Sequence, residues 1–378
     1  METVDLLIKN GRVIDPERGV DGRENIACIG RRIVPWTDGM EARTVIDAEG
    51  CIVVPGLIDY HAHVFERGTD SGINPDLAML PLGVTTVVDA GSSGVSTYRS
   101  FMDRLDDCRI KSRLFLHVSP TGQVTHQYPE TILPKKWNME KFRDAFETYP
   151  DRILGLKIRI SRNVFGDRGM CYLEKAIELA QQFDKRLVVH VTDPPVPQSQ
   201  VASVLRPGDV FCHVFNGRGH TILENGCIPD AIWNARARGV IFDACHGSIN
   251  FNFGVAEKAI AEGFLPDVLS SDMNSVTWCR PPLFSLLIVM SKFLLMGMPL
   301  RDVIASVTST PASLIGEKGN LGTLACGSCA DIAILKLEDR TIRLVDAEGN
   351  TRMSRQVLRN VATVLDGTLV YRAQELCF

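Results

Sequence analysis

The sequence lacks both an excess of basic residues and a long hydrophobic run. Its 41 lysines and arginines are balanced by 45 aspartates and glutamates spread along the chain, which argues against a nucleic-acid partner. The most apolar stretch, 284–300, is interrupted by Ser285, Ser291 and Lys292 and is too short and polar to span a membrane. The N-terminal residues include charged side chains instead of an apolar signal-peptide core, so we expect a soluble, cytoplasmic protein.

Nucleotide-binding and disulfide signatures are also missing. No Gly-x-Gly-x-x-Gly motif follows an apolar run, and no Gly-x-x-x-x-Gly-Lys-Ser/Thr motif occurs. The 11 cysteines are an odd number without regular spacing, which predicts reduced and mostly buried thiols. Cys326 and Cys329 form a Cys-x-x-Cys pair with no second ligand pair nearby, and we interpret it as accidental. With 45% hydrophobic and 23% charged residues, the composition is that of a folded protein with a sizeable core.

Short apolar runs separated by turn-forming residue pairs occupy both ends of the chain. Near the N-terminus they lie at 6–8, 12–14, 26–29 and 45–46, and near the C-terminus at 332–337, 341–345 and 368–371. Strand-rich ends on either side of a different middle predict one small β domain built from residues 1–54 and 320–378.

Residues 55–319 show short apolar runs that alternate with helical patterns. Two clear helical patterns lie at 173–180 and 255–262. Eight apolar runs occur, at 57–58, 84–88, 114–116, 153–156, 187–189, 210–212, 240–242 and 268–269. Eight strands alternating with helices predict an α/β fold, and more specifically a (β/α)8 TIM barrel instead of an open doubly wound sheet.

Side chains able to bind metal follow or end five of these runs. Because the active site of a (β/α)8 barrel lies at the carboxyl ends of its strands, we expect these side chains to converge. His61 and His63 are two apart on an extended strand and share a face, and imidazole is the commonest metal ligand. His190 and His213 end two further runs, although each alone would equally suit a structural hydrogen bond. Asp272 adds a carboxylate, a ligand that hard and borderline cations accept.

Lys157 ends an otherwise apolar run, where burial of its ammonium group would be costly. Burial favours the neutral amine, which can react with carbon dioxide to form a carbamate. A carbamate is an anion with two oxygens and can bridge two cations. An ion pair with a nearby carboxylate is the alternative, and the convergence of the histidines favours the carbamate.

Two segments of the chain resemble the amidohydrolase superfamily. Residues 47–63, which end in Asp59-Tyr-His61-Ala-His63, resemble the opening of that superfamily, in which the first strand delivers His-x-His. Residues 322–333 resemble the return of the chain into a small β-sandwich. The resemblance covers essentially the whole chain, and it implies a (β/α)8 barrel with a β-sandwich built from both termini.

Segments 155–161, 190–195, 213–217 and 245–247 are similar to one branch of the superfamily. Its members are often labelled dihydroorotase or adenine deaminase, and some act instead as deacetylases of small acetylated acids. The resemblance implies a site for two divalent metal ions, zinc or manganese. The implied ligands are His61, His63 and Asp272 for the first ion, His190 and His213 for the second, and carbamylated Lys157 as the bridge between them.

Two departures from the branch concern the side chains that would face the substrate. Dihydroorotases usually have an arginine two residues after the second histidine, where this chain has Phe65, with Arg67 two residues further on. The branch also tends to show Asp-x-His at the eighth strand, where this chain has Asp272, Met273 and Asn274. The chemistry is therefore better determined by the sequence than the substrate.

The predicted reaction is hydrolysis of an amide or ester bond of a small acylated acid. A metal-bridging hydroxide would attack the carbonyl. It would form at neutral pH because two metal ions that bind the same water molecule lower its pKa towards about 7. Asp272 would take a proton from the nucleophile and pass it to the leaving group, an assistance typically worth about 10²–10⁴ in rate. His246 and Arg159 are candidates for binding a substrate carboxylate, and each could equally make a structural hydrogen bond.

Three alternatives remain open at this stage. A cyclic-amide hydrolase, similar to dihydroorotase or hydantoinase, would use the same ligands. A mononuclear deaminase would leave Lys157 unexplained. A non-catalytic scaffold would be expected to have lost ligands, whereas all six are present. Assembly into a homo-oligomer also stays open, with the exposed edges of the small sandwich as a contact surface.

Overall fold

The computed structural model describes residues 3–125, 127–128 and 130–374, which form seventeen β-strands and eleven α-helices. The strands are β1 Thr3–Lys9, β2 Arg12–Asp15, β3 Val20–Arg23, β4 Ile26–Ile29, β5 Arg32–Val34, β6 Glu41–Asp47, β7 Ile52–Pro55, β8 Leu57–Ala62, β9 Val84–Gly94, β10 Lys111–His117, β11 Ile153–Arg159, β12 Arg186–His190, β13 Val210–Cys212, β14 Ile241–Asp243, β15 Ile332–Val345, β16 Thr351–Leu365 and β17 Thr368–Arg372. The helices are α1 Pro75–Met79, α2 Tyr98–Asp106, α3 Met139–Thr148, α4 Arg162–Phe165, α5 Gly169–Gln182, α6 Gln198–Val204, α7 Asp230–Ala237, α8 Phe253–Ala261, α9 Leu286–Leu295, α10 Leu300–Ala305 and α11 Ser309–Leu314. None of these helices has the length and apolarity needed to cross a membrane.

The middle of the chain forms a parallel sheet of seven strands in sequential order, β8 to β14. Seven of the eight apolar runs expected to be strands lie in this sheet. Its strands are almost entirely buried, as is typical of parallel sheets whose faces are both covered. The two clear helical patterns fall in α5 and α8, and α8 begins where the Asn252 side chain accepts a hydrogen bond from the Val255 amide. The predicted α/β class is confirmed.

The eighth apolar run joins the two edges of this curled sheet without forming a regular strand. Val268 makes a parallel bridge to Asp243 beside β14, and Met273 makes a parallel bridge to Ala62 in β8. The Asp272 amide also donates to the His61 carbonyl at 2.7 Å. The segment 268–273 therefore lies between β8 and β14, the two edge strands of the sheet. It connects the carboxyl end of β14 with the carboxyl end of β8.

An apolar cluster lies among the strands of the curled sheet. It includes Tyr60, Phe115, Val188 and two cysteines, Cys212 and Cys245. A larger cluster packs the helices against the outer face of the same strands. The polar side chains described below lie where the inner cluster ends.

The two ends of the chain form two further sheets. One contains β5, β4, β1 and β6, and the other contains β17, β16, β15, β7, β2 and β3, so strands from both ends share a sheet. An apolar cluster with members from both sheets, including Ile8, Ile46, Val53 and Ile334, packs them together. The expected runs 332–337 and 341–345 are one continuous strand, β15, which pairs with β16.

The described part of the chain has ten free cysteines. Five of them are buried, and four are exposed. Of the Cys-x-x-Cys pair, Cys326 is exposed, whereas Cys329 is buried with its thiol 3.1 Å from the Asp366 carboxylate.

Candidate metal centre

The predicted metal ligands converge at the carboxyl ends of the strands of the curled parallel sheet. They line a cavity of about 220 Å³, and Arg159 lines it with them. These ligands are His61, His63, Lys157, His190, His213 and Asp272. Their convergence follows from topology, because parallel strands in sequential order present all their carboxyl ends on one side.

His61, His63 and Asp272 form one compact group. The Asp272 Oδ1 atom is 3.2 Å from Nε2 of His63 and 3.9 Å from Nε2 of His61. One ligand atom from each of the three residues lies within 4.8 Å of the others, which suits a single cation. The Asn250 side-chain amide donates to the second Asp272 oxygen at 3.0 Å.

The Asp272 carboxylate is held in its ionised form. Burial opposes ionisation, but the neighbouring imidazoles of His63, His61 and His213 keep the pKa of Asp272 well below its ordinary value. The backbone of Asp272 has a φ of 55°, in the left-handed region that few aspartates occupy. Gly247 packs so closely that a Cβ atom there would lie 2.3 Å from Asp272 Oδ2.

His190 and His213 lie next to each other in the same cavity. Their ring centroids are 4.3 Å apart, and the His213 ring is 5.4 Å from that of His61. His213 donates from Nδ1 to the Cys245 carbonyl at 2.9 Å, which leaves Nε2 with its lone pair. Burial and the neighbouring His213 lower the pKa of His190 well below its ordinary value, so His190 is neutral, as a metal ligand must be.

Lys157 is only 1% exposed, and within the described residues it makes no ion pair. Its Nζ atom lies 3.4 Å from Nε2 of His61. Gly91 packs against the stem of Lys157, and a Cβ atom there would lie 2.7 Å from Lys157 Cγ. The alternative of an ion-paired Lys157 therefore finds no carboxylate partner in this part of the molecule.

Asp89 and Ser92 orient one of the histidines, and neither was singled out as a ligand support from the sequence. Nδ1 of His63 is 2.9 Å from the Ser92 hydroxyl, and that hydroxyl donates to Asp89 Oδ2 at 2.7 Å. Asp89 Oδ2 also accepts from the Val64 amide, and its Oδ1 accepts from the amides of Gly91 and Ser92. Such outer partners fix the tautomer of a ligating imidazole. The available signal was position, since Asp89 directly follows the apolar run 84–88 and Ser92 lies three residues further on.

The other ring nitrogen of His61 faces away from the cavity. Its Nδ1 atom is 3.1 Å from the Cys212 thiol and 3.6 Å from Asp243 Oδ2. Burial disfavours protonated His61, but Cys212 and Asp243 raise the pKa of His61 to about 9. Burial likewise disfavours a Cys212 thiolate, but a hydrogen bond from Cys245 and the nearby histidines lower the pKa of Cys212. In the neutral form of His61 with its proton on Nδ1, towards Cys212, Nε2 offers its lone pair to the cavity.

Arg159 lines the cavity, and the carboxylate of Glu130 holds its guanidinium group in place. Its Nη1 atom donates to Glu130 Oε1 at 2.5 Å, and Glu130 Oε2 is 3.0 Å from Nε2 of His117. Burial opposes ionisation of Glu130, but His117 and Arg159 hold its pKa at about 2. Glu130 lies in a loop with no strand-end signal, and nothing in the sequence pattern marked it as a partner of Arg159.

His246 is placed outside the cavity. Its ring stacks on Phe251 with a centroid distance of 4.6 Å, and Nδ1 donates to the Gly247 carbonyl. Nε2 accepts a hydrogen bond of 2.6 Å from Lys292, which also donates to the carbonyls of Pro282 and Val345. Both ring nitrogens are thus engaged, and burial with the Lys292 cation beside it lowers the pKa of His246.

The donor set is of a kind that binds divalent cations. Four imidazoles and a carboxylate line one cavity together with Lys157, and zinc and manganese both accept nitrogen and oxygen ligands of these kinds. Arg159 adds a fixed positive charge beside them. The arrangement can therefore hold metal ions and an anionic small molecule at once.

Comparisons with known proteins place this architecture. The model of the Amidohydrolase family matches residues 52–370. A deacetylase of Enterococcus faecalis is 31% identical over 370 residues, which are 97% of this chain and 98% of that protein. A crystal structure described as an adenine deaminase has a TM-score of 0.89 at 31% identity and covers 98% of this chain and all of that one. A crystal structure of a dihydroorotase has a TM-score of 0.86 at 28% identity, and the similarity covers 97% of this chain and 98% of that one.

Proposed function

Because the chain belongs to the amidohydrolase family, and is thus a hydrolase acting on C–N bonds, we propose that it is a binuclear metal-dependent deacetylase of small acylated acids. The observation that carries this proposal is the convergence of all six predicted ligands around one cavity. The name of the Enterococcus faecalis relative, with coverage of nearly both whole chains, supports deacetylation as the reaction. An ester bond in the same position would be cleaved by the same groups.

The proposal includes an architecture for the whole chain. Residues 55–319 would form a (β/α)8 TIM barrel closed by segment 268–273, and residues 1–54 with 320–378 would form a small β-sandwich. The parallel bridges on both sides of segment 268–273 support the first part. The sheet shared by strands from both ends supports the second.

We assign His61, His63 and Asp272 to one metal ion and His190 with His213 to the other. Carbamylated Lys157 would bridge them, because its buried nitrogen has no ion-pair partner in the described structure and lies 3.4 Å from His61 Nε2. Bound there, two divalent ions would polarise the scissile carbonyl and lower the pKa of a water molecule that they share.

Asp272 is the proposed proton carrier. Its carboxylate is ionised, lines the cavity and has one oxygen fixed by Asn250, so it can accept the proton of the attacking water. It would then deliver this proton to the leaving nitrogen or oxygen. Arg159, anchored by Glu130, would bind the carboxylate of the substrate. His246 is not included among the substrate contacts, because both its ring nitrogens are engaged elsewhere.

Cyclic-amide hydrolysis is the second candidate. The fold similarity to a dihydroorotase extends over 97% of this chain at 28% identity. The two reactions require the same ligands and differ in whether the cleaved bond lies within a ring. A panel of N-acetyl acids, O-acetyl acids and cyclic amides separates them by kcat/KM.

Metal analysis tests the proposal directly. Protein purified without chelator should contain about two divalent ions per chain. Lys157→Ala should lower that content, since the bridge is lost. Lys292→Ala serves as the control, because Lys292 is also buried but contacts carbonyls and His246 instead of the cavity. A Lys157→Ala protein that keeps two ions would contradict the bridged site, and one ion in the unmodified chain would favour a mononuclear enzyme.

A further inference from the structure

Two cysteines beside the metal centre have no part in the proposed mechanism. Cys212 is the last residue of β13, and Cys245 lies two residues beyond β14. Both are 0% exposed and belong to the apolar cluster among the barrel strands. From the sequence they count as small hydrophobic residues, but the structure places both thiols against imidazoles.

The geometry around the thiols resembles a metal site. Cys212 Sγ lies 3.1 Å from Nδ1 of His61. One ligand atom from each of His61, Cys212, His213 and Cys245 lies within 4.8 Å of the other three. In tetrahedral zinc sites, bonds of about 2.3 Å to sulfur and 2.0–2.1 Å to nitrogen place the ligand atoms within about 4 Å of one another. A small contraction would therefore suffice to close this group around one ion.

We propose that Cys212, Cys245, His61 and His213 form a second metal site, deeper than the binuclear centre, that takes one thiophilic divalent ion such as Cd²⁺. Thiolates are soft ligands and select such ions over hard ones. Binding converts two thiols into thiolates, forms two metal–sulfur and two metal–nitrogen bonds, and releases two protons to solvent. The site involves no change of oxidation state.

Occupation of this site excludes the binuclear arrangement. His61 presents Nε2 to Lys157 and Nδ1 to Cys212. A neutral imidazole has one lone-pair nitrogen, so His61 serves one site or the other. His213 likewise has only Nε2 available, because its Nδ1 donates to the Cys245 carbonyl. This exclusion rests on the proposed function, whereas binding of the ion to the thiols does not.

Titration of the metal-free, full-length chain with Cd²⁺ tests the site. The exposed thiols are first alkylated, and thiolate-to-cadmium charge transfer is followed in the ultraviolet. The expected band saturates at one ion per chain, disappears in the Cys212→Ser/Cys245→Ser double variant and persists in Cys51→Ser, which removes a buried thiol from the terminal sheets. No band in the unmodified chain, or an equal band in the double variant, would overturn the proposal.

X-ray absorption at the cadmium edge of the unmodified chain keeps the test decisive if the double variant does not fold. Two sulfur neighbours are expected, and a shell of only nitrogen and oxygen would refute the site. Elemental analysis of protein first loaded with Mn²⁺ then tests the exclusion, since one bound Cd²⁺ should release the manganese. A thiolate band in a chain that never binds two Mn²⁺ ions would leave the thiol site standing and contradict the binuclear centre. A chain that binds two Mn²⁺ ions but shows no thiolate band would support the binuclear centre and contradict the thiol site.

Discussion

The Ser92 hydroxyl lies 2.9 Å from Nδ1 of His63. Because that hydroxyl donates its own hydrogen to Asp89, its oxygen accepts from His63, and the imidazole proton sits on Nδ1. The lone pair of His63 is then on Nε2, which faces Asp272 at 3.2 Å. Ser92 and Asp89 therefore determine which nitrogen of His63 is offered to the cavity.

Ser92→Ala should weaken metal binding about 10–100-fold, the usual effect of losing an outer partner of a ligating histidine. Competition with a chromophoric chelator measures this dissociation constant. Ser93→Ala is the matched control, because the buried Ser93 hydroxyl has no hydrogen-bond partner among the described residues. Equal affinities in the two variants would mean that Ser92 does not hold the tautomer.

Gly91→Ala should displace Lys157. The new Cβ would lie 2.7 Å from Lys157 Cγ, and the backbone there has a φ of 99°. Gly39→Ala shares the backbone penalty, with a φ of 97°, but its Cβ meets nothing within 4 Å. Both variants should lose about 1–3 kcal/mol of unfolding free energy through the backbone, and Gly91→Ala should lose more and also bind less metal. Equal metal content in both would show that the Lys157 position is not tightly set.

Asp272→Asn should lower kcat by about 10²–10⁴, because an amide cannot carry the proton between nucleophile and leaving group. The assay uses whichever acylated acid the substrate panel identifies, with metal content measured alongside. Asp70→Asn, a change of the same chemistry at an exposed residue near the cavity, is the control. Full activity in Asp272→Asn with metal bound would refute the assigned proton carrier.

Glu130→Gln should reduce stability at neutral pH and matter less in acid. The pKa of Glu130 is lowered to about 2, so its ionised form stabilises the fold. That contribution is complete above the unfolded pKa of about 4.3 and is lost as the pH falls towards 2. Urea unfolding of metal-free protein should show a deficit on the order of 2 kcal/mol near pH 7 that shrinks below about pH 4. Glu174→Gln, at an exposed site, should show no such trend, and a pH-independent deficit in Glu130→Gln would contradict the assignment.

The strands of the central sheet were predictable because parallel strands buried on both faces are continuous apolar runs. The run 268–269 was expected to be a strand on the same basis, but segment 268–273 makes single bridges to its neighbours. β16 was not expected, because Arg352, Arg355 and Arg359 interrupt its apolar residues. Such a strand is recognised only when its partner β15 is known, since pairing depends on residues distant in sequence.

The convergence of the proposed ligands was predictable because four histidines, Lys157 and Asp272 stand at or near the ends of runs. Their supports were harder to predict: Asp89 directly follows a run, whereas Asn250 carries no spacing signal of its own. Glu130 reaches Arg159 from a loop, and the path of a loop depends on packing that no local pattern records. His246 stands at a strand end like the ligands, yet it turns to Lys292, a contact that the sequence separates by 46 positions.

The joining of the two edges of the curled sheet also bears on how the chain folds. Ser271 donates hydrogen bonds to Asp59 from its amide and its hydroxyl, across 212 positions of the chain. Closing a contact between such distant residues costs chain entropy, because a long loop must be closed. Asp272 is the next residue, so the proposed proton carrier reaches His63 only when the two edges of the sheet have met. A chain in which these edges are apart would have the histidines of the site but no Asp272 beside them, and recovery of activity would report the closure of the sheet.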